Sequence, residues 1–295
     1  MDDLVARFNT VTQARFYVEH LGADFSDYLK EDEQYKRALA EAERILGTLG
    51  RLQVLDRVYL PNFIFGKDDA IVVVGQDGLV ANTVKYSTSQ PIVGVNPDPS
   101  RWEGILVPFA VSNLEQVVSE VLQNKRRTRR VTMARAELND GQTLYAVNDL
   151  FIGVSSHTSA RYTIRAHGHQ EQHSSSGIIV STGMGSTGWF KSLLAGALAI
   201  SSDLVGRPLA SELQSGFAWD ADYLYYTVRE PFPRKTSAAS LVFGRVDRSE
   251  PLTLVSEMPD SGVIFSDGIA SDFIAFNSGA QATIAPSERK GHLVI

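Results

Sequence analysis

Apolar residues recur every three or four positions among Ala, Glu and Lys from residue 24 to residue 49, which predicts one long helix closed by Gly47 and Gly50. Residues 52–60 alternate well enough for a strand, ended by Pro61. Ala70-Ile-Val-Val-Val74 is an unbroken β-branched run, the pattern of a strand buried on both faces of a parallel sheet. It stops at Gly75-Gln76-Asp77-Gly78. A helical stretch over 79–87 follows, and a second buried strand over 91–95 runs into Asn96-Pro-Asp-Pro-Ser100. Strand, glycine turn, helix, strand is a βαβ unit, so the first third is α/β.

The texture then changes. Residues 114–123 predict one more helix, followed by the basic run Lys125-Arg-Arg-Thr-Arg-Arg130. Short strand-like runs come next, at 131–136, 143–154, 161–166, 177–181, 223–229, 252–256 and 262–265, separated by turn signals such as Asn139-Asp-Gly141 and Asp267-Gly268. One helix, 189–200, interrupts them. This predicts an α/β domain over 1–112 and a β-rich domain from 113 onward, with the boundary resting on the change of pattern, since no repeat or low-complexity linker marks it.

Length agrees, because 295 residues is about twice a usual domain. Hydrophobic residues at 43% and charged residues at 21% are those of a globular protein, which argues against general disorder. A net charge of −6 argues against a general nucleic-acid binder, and with no Cys there are no disulfides, thiolate metal sites or Cys nucleophiles. The first residues have neither the apolar core of a secretory signal nor the acid-poor composition of a transit peptide, and no apolar run approaches the roughly 20 residues that span a bilayer. A cytoplasmic protein with no membrane partner is the expectation.

Three segments could carry chemistry. Gly75-Gln76-Asp77-Gly78 lies between a strand and a helix, where glycines admit a close ligand, N–H groups favour an anion, and an acid can take a proton from a hydroxyl attacking phosphate. The alternative is a turn with Asp77 as cap. Ser181-Thr-Gly-Met-Gly-Ser-Thr-Gly188 packs three glycines and four hydroxyls into eight positions, suited to phosphates and sugars, although it lacks the Lys of a Walker loop. An ordinary capped helix start is its alternative reading. Asn148-Asp149 interrupts an apolar run, where adjacent polar residues face opposite sides; either a ligand or a strand end answers that. Two weaker clusters have simpler accounts. His167, His169, Glu171 and His173 look like a polar hairpin loop rather than a metal site, and the basic run 125–130 looks like a solvated helix end.

In this order the pieces resemble the NAD kinase family, which carries a Gly-Gly-Asp-Gly turn, an Asn-Glu pair and a Thr-rich Gly-Ser-Thr loop. The mitochondrial branch is most similar: Gly94-Val-Asn-Pro-Asp-Pro-Ser-Arg-Trp-Glu-Gly104, Ser175-Ser-Gly177 and Thr182-Gly-Met-Gly-Ser-Thr-Gly-Trp189 match its segments, and Phe25-Ser-Asp-Tyr28 and Asp267-Gly268 fall in place. The resemblance runs from about residue 10 to 285.

It implies a Rossmann-like α/β domain, a β-sandwich-like domain ending near 273, and a chain end, 274–295, that returns to the first domain. It implies transfer of the ATP γ-phosphate to the 2′-hydroxyl of the adenosine ribose of NAD(H), with Mg²⁺ accompanying ATP, in a homodimer or homotetramer. Asp77 would be the catalytic group. Asn148, Asp149, Thr187, Trp189 and Ser192 would bind NAD, with Asp77 at the floor of their pocket, and Gly75, Gly78, Thr182, Gly185 and Ser186 would face ATP phosphates. Gln76 stands where the family has its second Gly, Leu79 replaces a hydroxyl, Asp149 is one methylene short of Glu, and Met184 replaces Thr. A dinucleotide-binding homologue without transfer activity is one alternative, and a kinase for a sugar or lipid hydroxyl is another.

Overall fold

The computed structural model describes residues 1–235, 237–269 and 271–295, and of Asp2 and Asp3 the backbone only. Three helices open the chain, α1 (Asp2–Phe8), α2 (Val11–His20) and α3 (Phe25–Leu49), followed by β1 (Ile71–Val74), α4 (Asp77–Val84), β2 (Pro91–Asn96), β3 (Phe109–Ala110) and α5 (Leu114–Leu122). The strands β4 (Thr128–Leu138), β5 (Thr143–Ala146), β6 (Asp149–Val154), β7 (Ala160–Ala166), β8 (His169–Ser175) and β9 (Ile178–Ser181) lead to α6 (Trp189–Val205). The chain closes with β10 (Leu224–Val228), β11 (Phe243–Val246), β12 (Leu252–Ser256), β13 (Gly262–Ser266), β14 (Phe273–Ala275) and β15 (Gln281–Val294).

β1 and β2 are parallel, in keeping with the β-branched run of β1 and the buried, mostly apolar β2, and α4 between them completes the βαβ unit. Alternate residues of the strands face different layers. Ile71 and Val73 pack with Val80, Ala81 and Val84 of α4, while Val93 and Val95 pack with Ala42 of α3 and Val117, Val118 and Val121 of α5. The last residues of the chain return as expected, β15 running parallel to β2 at Leu293 and Ile92, but the return starts later than residue 274, since Ile274, Phe276, Ala282 and Ile284 pack in the core of the β half. β15 also pairs along most of its length with β4, so one nine-stranded sheet passes through both halves of the molecule.

A second, six-stranded sheet, in the order β11-β10-β9-β6-β13-β14, faces the β-rich part of the first. Between them lies a core that includes Leu150, Ile152, Tyr162, Ile164, Val180, Tyr226, Leu254 and Ile284. The whole is a mixed α/β fold with a two-sheet β half.

Some local expectations change. Residues 52–60 do not form a strand; a 3-10 turn, Arg57–Asn62, occupies their end, with Asp56 capping the Val58 N–H at 3.0 Å. Their alternation has no buried face to serve, because nearly all of residues 51–59 are exposed. α4 begins at Asp77, and α6 continues to Val205. The basic run is not simply a helix end: α5 stops at Leu122, Arg126 returns to Glu120, and Arg129 and Arg130 already belong to β4. The His-rich hairpin is tighter than a loop. His167 and Gly168, at φ 51° and 73°, are its turn, while His173 is buried against Glu171 at 2.9 Å.

Candidate functional site

The apolar run 143–154 breaks at Val147-Asn148, where the chain leaves the nine-stranded sheet for the six-stranded one. The break leaves three consecutive N–H groups without a ladder partner, and the Asp267 carboxylate collects them. Its Oδ1 accepts from Val147, Asn148 and Asp149 at 3.0, 2.7 and 3.2 Å, and Oδ2 accepts from Val147 at 3.1 Å. The Asp267 N–H in turn donates to the Asp149 carbonyl at 3.0 Å.

The loop that follows β9 is seated on the same backbone. Thr182 is buried; its hydroxyl donates to the Val147 carbonyl, and the Gly185 N–H donates back to it at 3.1 Å. A Cβ on Gly185 would lie 2.0 Å from the Asn148 carbonyl oxygen, and one on Gly183 would lie 1.9 Å from that of Ala218. Only glycine allows these approaches. The Ser186 hydroxyl donates to Gly183 at 2.6 Å and accepts from the Phe217 N–H at 3.0 Å. The buried hydroxyls of this loop therefore hold it in shape.

A cavity of about 360 Å³ lies where these segments meet, lined by Asn148, Asp149, Met184, Gly185, Thr187, Gly188, Trp189, Asp267 and Gly268. Among the described residues, the side chains of Asn148, Asp149 and Thr187 make no hydrogen bond to the protein. Burial, helped by the neighbouring Asp267 charge, pushes the Asp149 carboxyl up to about 7. Burial also raises Asp267, against the pull of Lys85 and of the N–H groups of Asn148, Val147 and Asp149. Of the two acids, Asp267 is the better charge carrier, because it alone has donors. Trp189, at the first turn of α6, stacks on Phe151 with ring centres 5.9 Å apart, and the Arg229 guanidinium lies 5.3 Å above the Trp189 ring.

The sequence candidates thus divide. Asn148, Asp149, Gly185, Thr187 and Trp189 meet at the cavity. Ser192 turns its hydroxyl back to the Trp189 carbonyl at 2.7 Å within α6, and Thr182 and Ser186 are occupied inside their loop. Asp77 does not line the cavity. Its oxygens accept the N–H groups of Ile105 and Leu106 at 2.9 and 2.8 Å. Gly75 packs beside Leu79, and Gly78 has open space around it. Gln76 has an ordinary extended backbone, φ −96° and ψ 166°, so no strain attaches to the absence of a glycine there.

Leu79 and Met184, both standing where the resemblance expects hydroxyls, belong to one apolar cluster with Leu106, Val107 and Val147. Asp267 and Lys85 were not among the sequence candidates. The available signals were a Ser-Asp-Gly directly after a buried strand and a lysine ending an otherwise apolar helix.

No family model matches the sequence, and no curated protein does. Among solved structures, the chain is similar to an NAD kinase from Archaeoglobus fulgidus in complex with ATP, with a TM-score of 0.57 and 18% identity over 87% of this chain and 89% of that one. It is also similar to yeast NADH kinase complexed with NADH, with a TM-score of 0.52 and 18% identity over 77% of this chain. That match spans 61% of the yeast chain, less than two thirds of its length. At this identity the likeness speaks for architecture, and it agrees with the two-sheet arrangement and the returning chain end: this chain has the fold of these NAD kinases.

Proposed function

We propose that the chain is an ATP-dependent NAD(H) kinase that transfers the γ-phosphate to the 2′-hydroxyl of the adenosine ribose, giving NADP(H). The observation that carries this reading is the meeting of Asn148, Asp149, Thr187 and Trp189 on one cavity, with an amide, a carboxyl and a hydroxyl free of protein partners beside a partly exposed indole. The fold shared with proteins solved with NADH and ATP supports it. On the same reading residues 1–112 with the last residues of β15 form the donor side and the β half the acceptor side, with Gly75, Gly78 and Gly185 as further ligand contacts; the Thr182, Ser186 and Ser192 hydroxyls, bonded within their own segments, are not free to serve as such.

In the transfer, the bond from the ribose oxygen to the γ-phosphorus forms as the bridging bond to ADP breaks. ADP leaves with the electron pair, and the hydroxyl proton passes to a base. Asp77 is the base or orienting group on this reading. Each of its oxygens spends one lone pair on a backbone N–H, which leaves the other to accept from a hydroxyl. Mg²⁺ enters with the triphosphate. Among the described residues no group of three His, Cys, Asp or Glu could hold a metal, and an ion carried on phosphates needs only one or two carboxylates.

Assembly as a homodimer or homotetramer belongs to the proposal. α6 leaves Ile200, Leu204 and Val205 exposed by 65%, 82% and 57%, an apolar strip that a second copy would cover. A cytoplasmic setting does too; no described helix is long and apolar enough to cross a membrane.

A second reading, a dinucleotide-binding homologue without transfer activity, is favoured by the apolar cluster of Leu79, Leu106 and Met184 beside the Asp77 turn. Purified protein with ATP, NAD and Mg²⁺ in a coupled assay separates the two. NADP formation supports the kinase. A rise in melting temperature with millimolar NAD but no NADP selects the second reading, and neither signal removes both.

A further inference from the structure

Lys85 follows α4 directly and is 3% exposed, an unusual burial for an ammonium group. Its Nζ lies 3.5 Å from Asp267, donates to the Ser266 hydroxyl at 3.1 Å and pairs with Asp272. The Ser266 hydroxyl donates onward to the Tyr145 carbonyl at 2.6 Å, on β5. Asp267, also 3% exposed, spends its carboxylate on the N–H groups of Val147, Asn148 and Asp149. The helix bearing Lys85 at its end bears Asp77 at its start, and at eight residues it is a strut of roughly 12 Å. One rigid element thus connects the Gly-x-Asp-Gly turn to the backbone that presents Asn148 and Asp149 to the cavity.

We propose that Lys85 and Asp267 are positioning residues: through them α4 fixes the 147–149 backbone, and with it the Asn148 and Asp149 side chains, relative to Asp77. The consequence for ligand binding rests on the reading of the cavity as a dinucleotide site. The coupling of Lys85 to the backbone does not. A buried ion pair is weak evidence of stability in itself, since an apolar replacement of both partners is often neutral. What this pair supplies is geometry, as three N–H groups at a sheet crossing have no other common acceptor among the described residues.

Three variants test it: Lys85→Met, Asp267→Asn and the two combined. Lys85→Met leaves a buried charge alone and is expected to melt earlier. The double variant removes the Lys85 and Asp267 charges and is expected to recover part of that loss, since Asp272 still lacks its ammonium partner. The amide that Asp267→Asn introduces offers one acceptor oxygen where the carboxylate uses two, and its NH₂ meets the Val147 donor.

In free protein, amide exchange at 147–149 is expected to rise at least tenfold in the folded double variant, with the centres of β6 and β9 unchanged. NAD affinity, by titration calorimetry, is expected to fall at least tenfold even as the melting temperature partly recovers. A purely structural role would restore both together. Unchanged exchange at 147–149 in the double variant overturns the positioning role whatever NAD does. NAD affinity within threefold of wild type in that variant also overturns it. Failure of wild type to bind millimolar NAD sinks the dinucleotide reading instead, and the exchange measurement then decides this proposal alone.

Discussion

One carboxylate oxygen of Asp77 accepts the backbone N–H of Leu106 at 2.8 Å, while the other takes that of Ile105 at 2.9 Å. The acid at the start of α4 thereby pins the segment following β2, just after Gly104 turns with φ 61°. Asp77 then has two tasks on the proposed function, holding that segment and handling the hydroxyl proton. Asp77→Asn separates them, because the amide keeps one acceptor and loses the charge. The expected result is loss of phosphoryl transfer, NAD affinity within tenfold of wild type, or about 1.4 kcal/mol, and a stability loss of about 1–2 kcal/mol. Assay, calorimetry and a denaturant melt check the three. Turnover comparable to wild type in the Asn variant removes Asp77 from the chemistry.

Asp149 gives a pH prediction. Its carboxyl is raised from 3.8 to about 7 by burial first and Asp267 second. The folded state therefore holds a proton that the unfolded chain releases above about 4. Asp149 contributes its full stability below pH 4, loses it as pH rises to 7, and changes nothing further above that. Asp149→Asn removes the titration, so the variant is expected to gain on wild type progressively between pH 4 and 7, reaching ~2–4 kcal/mol. Urea melts at pH 4.5, 6 and 7.5 measure it. An advantage that stays flat across the three shows that Asp149 titrates elsewhere.

Trp189 is only 38% exposed although it opens a helix, because Phe151 stacks on one side and Arg229 lies over its ring. Trp189→Ala removes a stacking face and a cation–π contact, each worth about 0.5–1.5 kcal/mol. The expected losses are at least tenfold in NAD affinity and ~1–2 kcal/mol in stability, with Trp189→Phe recovering most of the first. Equal NAD affinity in the Ala variant would place the bound base away from Trp189.

Much of this architecture is legible in the sequence, and the reason is burial. The run Ile71–Val74 and the segment from Pro91 are apolar throughout because both faces are covered, and the long helix of residues 25–49 shows its spacing because one face packs on the sheet. Asp27 and Arg101, from two separated motifs, meet with Nη1 to Oδ1 at 3.1 Å, so their order along the chain carried spatial information. Residues 52–60 misled because alternation implies a strand only where a sheet edge is on offer. Asn148-Asp149 was ambiguous between strand end and ligand site, and it is a strand end that also faces the cavity. Lys85 and Asp267 stayed hidden because a residue type does not disclose that a charge 182 positions further on will bury it.

Gln76 and Met184 both depart from the family pattern, and the structure separates what they do. Gln76 stands just before α4 with an extended backbone and an exposed side chain that makes no capping bond, whereas Met184 is 7% exposed in the apolar cluster and also lines the cavity. Gln76→Gly relieves no strain, so stability is expected to change by less than about 0.5 kcal/mol. Met184→Thr takes volume from a packed cluster and buries a hydroxyl, with an expected loss of ~1–3 kcal/mol. The two also differ in the kinetics expected. Removing the Gln76 side chain clears the approach to the first N–H groups of α4, so the Michaelis constant for ATP should fall severalfold with NAD affinity unchanged. Met184→Thr alters the cavity itself, so NAD affinity should change. Steady-state kinetics with ATP and NAD varied in turn distinguish these outcomes. A drop in ATP-dependent turnover in Gln76→Gly would mean that the Gln76 amide is a phosphate contact in its own right, supplying from a side chain what glycine would expose from the backbone.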